Sequence, residues 1–178
     1  MLAAFGVAGR RIYAVASGPL PPGIGFPAPA FSARAVRGSA SISLAQQRGS
    51  VVLLDFWATW CPPCIASMPE LERIHREYQA KGVRVVGVNQ EPDDPLHVRG
   101  FLERQQISFP SVLDPGGIAA SYGVYSFPTS FLVGPDGIIR KTYRGPPAAS
   151  RLRRDLEEVL AEGQRGMKAG DPPEAPRP

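Results

Sequence analysis

Two cysteines separated by two residues, in Trp60-Cys61-Pro62-Pro63-Cys64, stand directly behind the apolar run Val51-Val52-Leu53-Leu54-Asp55-Phe56-Trp57 and constrain this chain more than any other feature. The run is β-branched and apolar on both faces, the pattern of a central strand covered by helices on each side. Behind the pair, Ile65, Met68, Leu71, Ile74 and Tyr78 recur at three- and four-residue spacings and predict a helix over 62–80, kinked at Pro69. A C-x-x-C motif at such a junction puts Cys61 at the helix N-cap, facing unpaired N–H groups and the positive end of the macrodipole. That position favours a nucleophilic thiolate. Cys64, one turn later, is placed to resolve a mixed disulfide, and Pro62 suits a first helical position where no N–H is needed.

Other uses of the pair fit less well. A multi-disulfide scaffold is excluded, because the chain holds only two cysteines. A structural zinc site needs two more ligands, and the two histidines, His75 and His97, fit no zinc spacing. A purely structural disulfide closing so small a loop adds little stability. A copper carrier of the C-x-x-x-C type needs one more residue between the cysteines. A peroxiredoxin pattern needs Pro and Thr where Leu54 and Ala58 stand. Neither a metal nor a cofactor is expected. The net charge of +4 and pI near 9.4 come without an aromatic-rich basic motif, so the basic surface is read as solvated rather than as a nucleic-acid interface.

With 178 residues, 43% of them hydrophobic, the chain has room for one domain with loose ends. Residues 1–23 are read as an N-terminal segment, the remnant of a signal or anchor plus a linker. Arg10 and Arg11 split its apolar run, and Ala14-Val15-Ala16 is of the cleavage-site type. The domain is expected over 24–162, followed by a disordered tail over 163–178, dense in Gly and Pro. Within the domain, residues 31–44 predict an edge hairpin turning near Arg37-Gly38, and 83–88 a second strand. A helix from Asp94-Pro95 to about Gln105, a short strand at 111–113 and a helix from Asp114-Pro115 to Tyr122 follow. A strand at 129–133, a Pro135-Asp136-Gly137 turn into 138–143, and a helix carrying Leu152, Leu156, Val159 and Leu160 complete the pattern.

From about Phe26 to Leu160 the chain resembles the thioredoxin superfamily, and within it the membrane-anchored TlpA, ResA and DsbE-like reductases. The shared segments are FPAPAF, VVLLDFWATWCPPC, MPEL, a central insertion over 89–120, and YGVYSFPTSFLVGPDG. The resemblance implies an α/β fold of thioredoxin-like three-layer α/β/α architecture, with a mixed central sheet and that insertion. It also implies a redox-active disulfide between Cys61, the nucleophile, and Cys64, the resolving thiol, with Pro128 as a cis-proline opposite them. Backbone beside that proline pairs with an extended substrate segment, so Phe127, Pro128 and Thr129, with Trp60, Pro62 and Pro63 of the motif, are the implied substrate-binding residues. Phe127 as mere core is the competing reading. Asp55 matches the buried acid of thioredoxin that takes the proton from the second cysteine. It is expected to act alone, since Ser67 stands where many ResA-like proteins carry Glu and Gly87 where thioredoxin carries Lys.

The expected function is a reductase of protein disulfides in the cell envelope, of the cytochrome c maturation or copper-site assembly type, supplied by a membrane thiol donor and acting as a monomer. A cytosolic thioredoxin-like reductase and a non-catalytic thioredoxin-fold binding module are the alternatives.

Overall fold

The computed structural model describes residues 22–169; the expectations for residues 1–21 and 170–178 lie outside the described residues. Strands β1 (Ser32–Arg34) and β2 (Ser41–Ser43) pair antiparallel in a small sheet of their own, and Ala35 bridges onward to Val112. Strand β3 (Val51–Trp57) is buried at every residue, because each of its two apolar faces meets a core. It leads into helix α1 (Pro62–Tyr78), which contains Pro69 and passes into a 3₁₀ turn at Gln79–Lys81. Then come β4 (Val83–Asn89), α2 (Pro95–Arg104), β5 (Ser111–Leu113), the short α3 (Ile118–Ser121), β6 (Thr129–Val133), β7 (Ile139–Arg144) and α4 (Ala149–Ala169).

The main sheet runs β5-β4-β3-β6-β7, with β3, β4 and β5 parallel and β6 and β7 antiparallel to their neighbours. Alternation along β3 divides the core. Val51, Leu53 and Trp57 face one cluster with Met68, Leu71 and Ile74 of α1, Val98 and Leu102 of α2, and Leu152, Leu156 and Val159 of α4. Val52, Leu54 and Phe56 face the other, with Ile118 of α3, Tyr122, Phe131 and Ala33. The chain is therefore a three-layer α/β/α structure around a mixed sheet.

Two elements differ from the sequence expectation. The helix expected from Asp114-Pro115 begins only at Ile118, because the Asp114 carboxylate gathers the N–H groups of Gly116, Gly117, Ile118 and Ala119 at 2.7–3.0 Å. Gly116, at φ +103°, supplies the left-handed turn that brings them round. The closing helix extends to Ala169, seven residues into the segment read as tail. Good helix formers, among them Ala161, Glu162, Gln164 and Arg165, carry it past Gly163.

Candidate active site

The site lies at the ends of the parallel strands, where β3 gives way to α1. Cys61 is the N-cap of α1, in extended geometry, with Pro62 and Pro63 in the first two helical positions. Neither proline has an N–H to offer, so the Cys64 N–H is the donor that reaches Cys61 Sγ, at 3.3 Å. Cys61 and Cys64 form a disulfide with Cα atoms 5.3 Å apart. Both residues are buried, Cys61 to 4% and Cys64 to 1% exposure, whereas Trp60 beside them is 65% exposed. The edge of the site is therefore an aromatic surface: Trp60 meets Phe127 edge to face with ring centroids 6.0 Å apart.

Phe127 is half-buried and packs against both core clusters, and its bond to Pro128 is cis. Thr129 is brought near by sequence but not by side chain. Its register partner Phe56 and its neighbour Phe131 put it on the face away from the first cluster, and its hydroxyl donates to the Ser126 carbonyl at 2.8 Å. Its side chain braces the loop rather than facing the disulfide.

Asp55 lies on the face of β3 shared by Leu53 and Trp57, the face whose cluster includes Cys61 and Cys64. Burial pushes its carboxyl up to about 7, against a smaller downward pull from the Ser130 hydroxyl, which donates to Oδ1 at 2.7 Å. Ser130 reaches Asp55 because the two are register partners on β6 and β3. The sequence carried a signal for Ser130, a polar residue interrupting an apolar strand just as Asp55 does. Ser67 is turned away from acid–base chemistry, its hydroxyl donating to the Cys64 carbonyl at 2.8 Å.

On the other side of Asp55, its register partner on β4 is Gly87, which in turn pairs with Ser111 on β5. A Cβ on Gly87 would come within 2.5 Å of Ser111 Oγ and 2.7 Å of Trp57 Nε1, so only glycine admits this close approach. Both polar atoms are buried without a hydrogen-bond partner among the described residues. Sequence reading also passed over Glu91, which binds Thr59 in the turn before Cys61. Among the described residues no group of three or more His, Cys, Asp or Glu is placed to hold a metal ion.

The Redoxin family model matches residues 24–160. The chain belongs to the Redoxin family. It is 36% identical over 132 residues to the thioredoxin-like protein YneN of Bacillus subtilis, covering 73% of this chain and 76% of that one. It is 34% identical over 137 residues to the thiol-disulfide oxidoreductase ResA of Bacillus thuringiensis, covering 76% and 78%. Among solved structures it is similar to a putative thiol:disulfide interchange protein DsbE from Chlorobium tepidum, with a TM-score of 0.72 and 34% identity over 78% of this chain and 99% of that one. With the Cys61–Cys64 pair in place, this redoxin is a thiol-disulfide oxidoreductase of the ResA and DsbE type.

Proposed function

We propose that the protein works as a reductase of disulfides in cell-envelope proteins, including precursors of cytochrome c or copper-site proteins, and is recharged by a membrane thiol carrier. The observation that carries the direction is the donor set at Cys61. An N-cap thiolate is stabilised by the N–H groups of the first turn, and with prolines in the first two positions Cys61 Sγ accepts from Cys64 N–H. A thiolate stabilised this sparingly leaves the reduced form comparatively high in free energy, which makes the pair reducing.

In the reaction, the Cys61 thiolate attacks one sulfur of the substrate disulfide, forming a mixed disulfide and releasing one substrate thiolate. Cys64 then loses its proton to the Asp55 carboxylate and attacks Cys61 Sγ. The second substrate sulfur leaves, the substrate takes away two electrons, and the Cys61–Cys64 disulfide remains. Trp60, Phe127, Pro62 and Pro63 form the rim that the substrate covers, and the backbone at Pro128 pairs with its extended segment. Residues 24–162 hold all of these groups and form the working domain.

Trapping tests the reading. Cys64→Ala expressed in the native cell should hold envelope proteins on Cys61 as mixed disulfides, with cytochrome c or copper-site precursors among them. Recovery of cytosolic proteins alone would contradict it.

A further inference from the structure

Residues 58–61 form a tight turn closed by the Cys61 N–H on the Ala58 carbonyl, at 3.2 Å. Its second residue, Thr59, has two donors, and both go to one carboxylate on another element. The Thr59 N–H donates to Glu91 Oε2 and the Thr59 hydroxyl to Glu91 Oε1, each at 2.6 Å. Glu91 is itself held from behind. Its N–H donates to Asn89 Oδ1 at 2.8 Å, and Asn89 Nδ2 donates to Oε2 at 3.1 Å. Asn89 is fully buried at the end of β4, in register with Trp57, and the Gln90 N–H donates to the Trp57 carbonyl.

A third group joins from α2. His97 Nε2 lies 3.2 Å from the Thr59 hydroxyl. With its one proton directed to Glu91, the hydroxyl oxygen is left to accept at this second contact. The Glu91 carboxylate accepts three hydrogen bonds in all, two from Thr59 and one from Asn89.

We infer that Glu91 is a positioning residue for the nucleophile: by taking both donors of Thr59 it fixes the turn that presents Trp60 and Cys61, and so ties the attacking sulfur to the connection between β4 and α2. Trp60, the third residue of that turn, is the exposed aromatic of the rim, and Cys61 closes the turn and caps α1. Loosening Thr59 shifts both. A displaced nucleophile costs most against a bulky disulfide, whose approach line is fixed by docking, and least against a small reagent that approaches freely. The inference concerns the disulfide chemistry itself and does not depend on which partner or compartment the protein serves.

The test compares Glu91→Ala, Glu91→Gln, Thr59→Val and Thr59→Ser with wild type. Three readouts are taken: the rate of Cys61 attack on a protein disulfide such as insulin, the rate of Cys61 alkylation by iodoacetamide, and hydrogen exchange of the Thr59 amide. In Glu91→Ala, attack on insulin should fall about tenfold or more, alkylation should change less than about threefold, and the Thr59 amide should exchange faster. Glu91→Gln keeps one carbonyl acceptor and should recover part of the rate. Thr59→Ser should behave as wild type, and Thr59→Val should lose part of the rate, which keeps the test decisive if Glu91→Ala does not fold. Attack on insulin at the wild-type rate in Glu91→Ala and Thr59→Val would overturn the inference. Equal losses in insulin attack and alkylation would overturn it as well.

Discussion

At the residue scale, Asp55 carries the sharpest consequences. A carboxyl raised to about 7 by burial is protonated in the folded protein from roughly pH 4 to 7, while the unfolded chain has released that proton. The folded state binds more protons in that window, so stability should fall as pH rises through it, by up to about 1.4 kcal/mol per pH unit, and level off above. In the oxidised protein, where the cysteines do not titrate, Asp55→Asn should abolish that slope and be the more stable form at pH 8. Resolution of the mixed disulfide should rise with pH through about 7 in wild type, as Asp55 becomes able to accept the Cys64 proton. In Asp55→Asn it should slow by roughly 10²-fold or more. Unchanged resolution with lower stability would make Asp55 a structural hydrogen-bonding residue. Ser130→Ala removes the contact that lowers Asp55, so the pH midpoint of resolution should move upward. Phe127, half-buried against both clusters and edge-on to Trp60, should behave differently. Phe127→Thr should cost less than the ~3–5 kcal/mol of a full core truncation while changing the ranking of protein substrates. A full core cost with unaltered ranking would make it a packing residue.

At the element scale, buried carboxylates fasten the central insertion. Glu72 of α1 accepts the Ser108 N–H and hydroxyl at 2.7 and 2.5 Å and pairs with Arg76 at 2.6 Å. Burial pushes its carboxyl up, but the Ser108, Arg76 and Phe109 hydrogen bonds outweigh this and hold it below the ordinary range. Asp114 is held low in the same way by the N–H groups that it gathers, against the opposing effect of burial. A depressed carboxyl contributes stability that is present above its unfolded pKa and lost as pH falls through the folded one. An acid limb should therefore appear below about pH 4. Asp114→Ala should flatten part of that limb and speed amide exchange at residues 116–119, because four N–H groups lose their acceptor. An unchanged acid limb and unchanged exchange would show that the carboxylate does not organise the segment before β6. The same residue explains why α3 starts later than the Asp-Pro pair predicts: such a pair normally signals a helix start, but the Asp114 oxygens are taken first by the N–H groups of a glycine loop.

At the scale of the whole molecule, what could be read from the sequence is what depends on local pattern. The apolar run of β3, the stripe Met68, Leu71, Ile74 and the motif between them predict the strand, the helix and the N-cap cysteine that the structure shows. What escaped depends on strand register and on distant pairing. Ser130 meets Asp55 only because β6 lies antiparallel to β3 at that register, and Glu91 meets Thr59 because β4 ends beside β3. No spacing along the chain encodes either contact. If Cys61 and Cys64 form a reducing pair, their reduction potential must show it. Equilibrated against a glutathione or dithiothreitol couple at pH 7, the pair should lie near the thioredoxin value of about −270 mV. A value near the −120 mV or so of a strongly oxidising thioredoxin-fold protein would contradict the account, since it would mean that Cys61 is held as thiolate by more than the one N–H that reaches it.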